Sequence, residues 1–368
     1  MTSTSDPGLA LTVRAVRAVG VEVPMNHALG TSRAVVTKAP LLLIDVETEE
    51  GVTGRAYLFC YVRNAVPAVA SMLDEVARVT KGERVAPVDL WEKLAKRFAL
   101  IGVQGIVRMA MAGFDIACWD ALAIAAGLPL AGLLGAQPRR IPAYNSCGLG
   151  LMAPDRLADE ADRLVARGFA AVKLRLGYPT LAEDLAALAA VRGRLGEGVT
   201  IMVDYNQALT VAQALERGRA LEQHAIYWLE EPIRHDDYAG AARLVRELKV
   251  PVQIGENFCE STSMATALAA GAADYVMPDL ERIGGVTGWQ RAAALAAVHR
   301  IEMSSHLLPE VSAHLLAATP TCHWLEWVDW AEPLLQEPLA IVDGFAVVPD
   351  RPGNGLVWNT SAVDKFRM

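Results

Sequence analysis

The sequence is poor in the features that would mark a small secreted, membrane or nucleic-acid-binding protein. Its 368 residues include only five cysteines, Cys60, Cys118, Cys147, Cys259 and Cys322, spread singly with no close pair. A large chain does not need covalent staples, so the thiols read as reduced core residues. Clusters of Lys and Arg are missing, and the formal net charge is −8, which argues against a phosphate-backbone partner. Met1 to Pro7 is polar and lacks the basic region and apolar run of a secretory signal, so a cytoplasmic location is expected. The most apolar stretch, Met109 to Leu134, carries Asp115 and Asp120 and is broken by Gly127 and Pro129. No membrane span is expected from it.

What the chain does have is apolar material, 53% of its residues, enough for one large domain or two ordinary ones. Leu11 to Val23 and Leu41 to Glu47 are β-branched and apolar, the second ending at the turn signal Glu50-Gly51, which suggests an antiparallel hairpin or meander. From Val66 to Leu134 the spacing becomes helical, with Trp91, Leu94 and Phe98 and then Met109, Phe114, Cys118 and Leu122 mostly three or four residues apart. Strands followed by helices predict a separate α+β domain.

After Ile141 short apolar strands alternate with Ala-rich helices such as Asp155 to Arg167, Ala182 to Leu195 and Val211 to His224. The predicted strands are Ala171 to Leu174, Thr200 to Val203, Ile226 to Leu229, Val252 to Ile254, Tyr275 to Met277, Glu302 to Ser304 and Trp324 to Leu325. Repeated βα units mean a parallel sheet, open or closed. The polar residue at each strand end is Lys173, Asp204, Glu230, Glu256, Asp279, His306 or Glu326, at intervals of 20 to 31 residues. A closed barrel would bring all seven to one mouth, whereas an open sheet would scatter them along an edge.

Three carboxylates on consecutive strands, Asp204, Glu230 and Glu256, would repel one another in a barrel mouth unless a cation held them. Oxygen-only ligands select a hard ion, and Mg²⁺ fits best. Asn206, two residues beyond Asp204, could donate to a bound substrate or close the turn. His306 follows one strand and Asp279 its neighbour, so the carboxylate can orient the imidazole as a general base. The other histidines lack that context, with His27 a weak exception. A metal-held carboxylate, a base and a protonated acid such as Glu326, its pKa raised, make removal of the proton beside a substrate carboxylate coherent, through an enediolate.

These residues lie in motifs that resemble the mandelate racemase subgroup of the enolase superfamily, nearly end to end. They include Gly113-Phe114-Asp115-Ile116-Ala117-Cys118-Trp119-Asp120 with Gly127-Leu128-Pro129, then Met202-Val203-Asp204-Tyr205-Asn206-Gln207 and Trp228-Leu229-Glu230-Glu231-Pro232. Gly255-Glu256-Asn257, Pro278-Asp279 with Ile283-Gly284-Gly285-Val286-Thr287-Gly288-Trp289, and Ser304-Ser305-His306-Leu307 complete the set. The resemblance implies an α/β fold: a (β/α)7β modified TIM barrel over residues 136–332, an N-terminal α+β capping domain over 1–135, and a segment, 333–368, that returns to the cap. It implies Mg²⁺ on Asp204, Glu230 and Glu256, a His306–Asp279 dyad, Glu326 as electrophilic acid, and a homo-oligomer, commonly an octamer. It also implies a mobile lid at 26–36 and substrate contacts from Leu29, Thr31, Arg33, Tyr61, Ser146 and Asn206.

One departure bears on the reaction. The racemase pattern is Lys-x-Lys, the first Lys on the substrate carboxylate and the second a base opposite the His, but here it reads Lys173-Leu174-Arg175. A guanidinium stays protonated, so Arg175 is a poor second base. With His306 alone, the expected reaction is dehydration of a hydroxy-acid or acid sugar. If Arg175 does exchange protons, the alternative is a 2-hydroxy-acid racemase. A non-catalytic binding member is the remote third reading. Arg33, where the racemase has an aliphatic lid residue, predicts a substrate more polar than mandelate, paired through a second carboxylate or sugar hydroxyls.

Overall fold

The computed structural model describes residues 10–368. The chain opens with a three-stranded antiparallel sheet, β1 (Val13–Gly30), β2 (Val35–Thr48) and β3 (Thr53–Phe59), followed by helices α1 (Ala65–Thr80), α2 (Pro87–Phe98) and α3 (Gly105–Ala125). β2 is the central strand, and Ala39 to Ile44 are buried without interruption. α3 is buried around most of its circumference, which is why its sequence is apolar all round and not striped. It lies so close to β3 that a Cβ on Gly54 would stand 1.9 Å from the Ala117 carbonyl oxygen.

The expected lid at 26–36 is not a free loop. β1 runs on to Gly30 and β2 starts at Val35, with a register shift between Pro24 and Leu29, so the lid is the tip of the first hairpin. The alternation that marks a strand is interrupted by that bulge, which hides the extension in the sequence.

A single-turn α4 (Leu130–Leu133) leads to the barrel: β4 (Arg140–Asn145), α5 (Pro154–Val165), β5 (Ala171–Arg175), α6 (Leu181–Leu195), β6 (Thr200–Asp204), α7 (Val211–Leu221), β7 (Leu229–Glu230) and α8 (Tyr238–Glu247). It continues through β8 (Val252–Ile254), α9 (Glu260–Ala269), β9 (Tyr275–Val276), α10 (Leu280–Ile283), α11 (Gly285–His299), β10 (Glu302–Met303), α12 (Pro309–Ala317) and β11 (Leu325–Trp327). β4 to β10 pair in parallel in chain order, and β11 pairs in parallel with β4. Hydrogen bonds from Met303 and Ser305 N–H to Thr321 and Trp324 carbonyls join β10 to the chain entering β11 and close the ring. The result is the (β/α)7β barrel, with α6 and α7 each begun by a Thr capping box at Thr180 and Thr210. β4 escaped the sequence reading because Pro142 and the polar ends of Arg140-Ile141-Pro142-Ala143-Tyr144-Asn145 break the apolar run.

The C-terminal segment visits both parts. β12 (Ile341–Val342) and β13 (Phe345–Val347) form a hairpin whose second strand pairs antiparallel with β4. α13 (Thr360–Phe366) then packs on β1, and the Trp358 indole N–H donates to Asp45 of the cap at 2.8 Å. No helix among the described residues is long and apolar enough to cross a membrane.

Candidate active site

The C-terminal ends of the barrel strands open on one cavity of about 200 Å³, roofed by the hairpin tip. Lys173, Asp204, Glu256, His306 and Glu326 all line it, as does Arg175. Glu230 and Asp279, at the ends of their own strands, are fully buried just behind.

His306 Nδ1 is held at 2.6 Å by Asp279 Oδ2, while Asp279 Oδ1 accepts from the Glu281 and Arg282 N–H groups at 2.8 and 3.0 Å and so caps α10. A carboxylate fixed by a helix terminus fixes the imidazole in turn, leaving Nε2 free to face the cavity. There Nε2 lies 3.1 Å from Glu256 Oε2 and 3.9 Å from Glu326 Oε2. Burial opposes a charge on the ring, but Glu256, Glu326 and Asp279 outweigh it and hold the imidazole well above its usual range.

Among the described residues no three His, Cys, Asp or Glu side chains stand at ligand spacing around one point. The reason is visible at Lys173, whose Nζ stands between the carboxylates, 2.7 Å from Glu230 Oε1, 3.4 Å from Asp204 Oδ2 and 2.7 Å from Glu326 Oε1. Burial works against that ammonium, and the three carboxylates overcome it and raise its pKa. One ammonium is too little for them. Burial pushes the Glu230 carboxyl up, Lys173 pulls it down, Asp204 and Glu326 push again, and it settles at about 8. The Asn206 Oδ1 and Glu231 Oε1 atoms beside the trio are buried without partners. An all-oxygen donor set short of positive charge, with an ammonium as its stand-in cation, fits a hard divalent ion.

Arg175 is tied down. Its Nη1 donates to the Ser146 and Gly148 carbonyls at 3.1 and 2.8 Å, and its Nη2 to Ser146 Oγ at 3.1 Å. Ser146 Oγ donates in turn to Glu326 Oε1 at 2.7 Å, and the Leu307 N–H donates to Glu326 Oε2 at 2.9 Å. Ser146, expected among the substrate contacts, therefore lies below the cavity floor as a bridge between Arg175 and Glu326. Glu326 was expected with a raised pKa. Burial does push it up, but the Lys173 ammonium and the His306 imidazolium outweigh burial and hold it at about 2.

Leu29, Thr31, Arg33, Tyr61 and Asn206 all line the cavity. Arg33 Nε and Nη2 donate to the Asn206 and Gln207 carbonyls at 3.2 and 2.5 Å, which latches the hairpin tip to the turn after β6. That turn is left-handed at both residues, with φ of 45° and 63°, and Asn206 Nδ2 donates to Asp204 Oδ2 at 2.9 Å. His27 is outside the site, its Nδ1 2.8 Å from Glu160. Sequence reading missed Phe59, Trp330 and Arg282. Phe59 and Trp330 form part of the wall, and Arg282 donates to the Glu256 carbonyl and Asn257 Oδ1 while stacking on the Tyr61 ring. Trp330 lies in the loop directly after β11, the strand that carries Glu326, and that position is the one signal that could have found it.

Comparison with known proteins agrees with this geometry. Residues 13–135 match the family model described as mandelate racemase/muconate lactonizing enzyme, N-terminal domain, and residues 156–362 match that described as enolase C-terminal domain-like. A crystal structure of an enolase from Bradyrhizobium complexed with magnesium and mandelic acid is 40% identical, covers 98% of this chain and 99% of its own, and superposes with a TM-score of 0.93. The 3,6-anhydro-alpha-L-galactonate cycloisomerase of Streptomyces coelicolor is 34% identical over 86% of this chain and 88% of its own length. The L-talarate/galactarate dehydratase of Salmonella typhimurium is 33% identical over 89% and 82%.

Proposed function

The chain belongs to the mandelate racemase/muconate lactonizing enzyme family of the enolase superfamily, and from that premise we propose a Mg²⁺-dependent dehydratase of hydroxy-acids that works with one base. The observation that carries the choice is the anchoring of Arg175. A guanidinium held through Nη1 and Nη2 by two carbonyls and a hydroxyl is fixed in place and has no lone pair to offer, whereas His306 Nε2 faces the cavity.

We assign Asp204, Glu230 and Glu256 as the oxygens that hold Mg²⁺, which relatives such as the Bradyrhizobium enolase bind. Bound there, the ion would polarise a substrate carboxylate and stabilise charge developing on its oxygens. Lys173, freed from Glu230, pairs with that carboxylate. His306 Nε2 takes the proton from the carbon beside it, with Asp279 holding the ring. The electron pair of the broken C–H bond forms an enediolate and then expels the hydroxyl on the next carbon, which leaves as water with a proton returned by His306. The enol so formed becomes a 2-keto-3-deoxy acid, and the net change is loss of one water. Glu326, bound by Ser146 and the Leu307 N–H, lines the same cavity beside Lys173 and His306.

In this reading residues 136–332 supply the chemistry, residues 10–135 belong to the cap, and residues 333–368 join the two, with β13 on β4 of the barrel and α13 on β1 of the cap. We place the protein in the cytoplasm, supported by five unpaired cysteines, as a homo-oligomer in which the exposed Leu100 and Ile101 of the cap offer an apolar contact.

The test is incubation of the Mg²⁺-loaded protein with 2,3-dihydroxy acids while 2-keto acid is measured. Product from the parent and at least 10³-fold less from His306→Asn is expected. Equal rates from the two proteins would sink the assignment of His306.

A further inference from the structure

A second cavity, of about 490 Å³, lies where α2, α3 and the loop between them meet α9 of the barrel. It shares no lining residue with the catalytic cavity, and its volume falls within the roughly 300–1,000 Å³ of small-molecule sites. One wall is apolar, made by Trp91, Ala95, Ala99 and Val103. The other carries Arg108, only 4% exposed, with its guanidinium carbon 5.7 Å from the centre of the Trp91 ring.

Arg108 is short of partners. Its Nε donates to the Val103 carbonyl at 3.0 Å and its Nη2 to Glu260 at 3.2 Å, while Nη1 is buried with no acceptor among the described residues. Glu260 is a loose counter-ion. Its side chain is 52% exposed, so the pair is weakly held, and its backbone is left-handed at a φ of 72°, which strains a residue with a Cβ. A buried cation so thinly paired favours an anion. So do α3 and α9, which both start at this cavity, after Gln104 and Cys259, with no side-chain cap on their first-turn N–H groups.

We infer that this cavity is a second ligand site, which takes a small organic monocarboxylate with an apolar body. The carboxylate accepts from the Arg108 guanidinium as Glu260 swings out to solvent, and the body lies on Trp91, Ala95, Ala99 and Val103. A cation would face Arg108, and an uncharged apolar ligand would leave Nη1 dry and unpaired. A phosphate would offer nothing to the apolar wall.

Cys259 lines the cavity, and it and Cys322 are the two cysteines that are not fully buried. Alkylation by iodoacetamide, located by peptide mass spectrometry, therefore reports on the site with Cys322 as internal control. The Mg²⁺-loaded protein is treated alone and with benzoate, benzylammonium or inorganic phosphate. Saturating benzoate is expected to slow alkylation of Cys259 by roughly tenfold and leave Cys322 unchanged, with no such effect from the other two. Lys173→Met, which removes the ammonium of the catalytic cavity, should keep the protection. Glu260→Gln should lower the benzoate concentration required, and Arg108→Gln should raise it by about tenfold or more, the loss of a charge-assisted hydrogen bond. If Arg108→Gln does not fold, Glu260→Gln decides. Alkylation of Cys259 at the same rate with and without benzoate, in the parent and in Glu260→Gln, would overturn the inference. So would equal protection by benzylammonium or phosphate, or loss of protection in Lys173→Met.

Discussion

His306 and Arg175 end strands on opposite sides of the same cavity, and what surrounds each decides its chemistry. The imidazole is oriented by one carboxylate and keeps a nitrogen toward the cavity. The guanidinium is oriented by three acceptors and has no lone pair with which to take a proton. Asp279→Asn should therefore lower kcat by roughly 10³-fold, because an amide cannot fix the same ring tautomer, while the cap on α10 survives through its side-chain oxygen. Loss of thermal stability without loss of kcat in that variant would mean that Asp279 serves only the helix. Residue identity at this scale was legible in sequence because one polar side chain closes each βα unit. Partnerships were not. That Ser146 lies beneath the floor, and that Lys173 and not the family's expected acid chemistry sets Glu326 low, follows from side-chain rotamers that no spacing encodes.

At the scale of elements, the hairpin tip and the β3–α3 contact carry the most. Two hydrogen bonds from Arg33 latch the tip over the cavity. Arg33→Ala should raise KM by roughly tenfold with kcat little changed, since the latch is worth binding but touches no reacting atom. A fall in kcat at constant KM would place Arg33 on the substrate instead. Gly54 lets β3 approach α3, and a methyl there collides with the Ala117 carbonyl. Gly54→Ala is expected to destabilise the fold by about 3 kcal/mol, read as a lowered denaturation midpoint, because backbone cannot step aside as a side chain can. Unchanged stability would show that the two elements slide freely. The barrel helices and most strands were legible from their rhythm. The hairpin extension was not, because a bulge breaks the period of two, and β4 was not, because its identity comes from three neighbours and not from its own sequence.

The whole molecule is held together by buried carboxylates that cross between cap and barrel. Glu310 accepts from the Tyr57 hydroxyl, Glu281 from the Phe59 N–H, and Asp115 from the Thr287 N–H and hydroxyl, partners 253, 222 and 172 positions apart. Such distances are why sequence reading found two parts but not their seam. Burial raises Asp115 from 3.8 to about 7, against the hydrogen bonds of Thr287. A raised folded-state pKa gives stability that is complete below the unfolded value near 4 and is lost as pH climbs through 7. Asp115→Asn has no such titration, so its destabilisation should be smaller at pH 8 than at pH 5 by about 3 kcal/mol, measured by denaturant unfolding. A pH-independent difference would mean that Asp115 stays charged throughout. The central claim is that one base, His306, serves the whole reaction, and its most direct measurement is deuterium exchange at C2 of each separate enantiomer of a 2-hydroxy acid, with Mg²⁺ in D₂O, followed by NMR. The account predicts exchange of one enantiomer with retention of configuration. Exchange of both, with inversion, would contradict it and make Arg175 a second base.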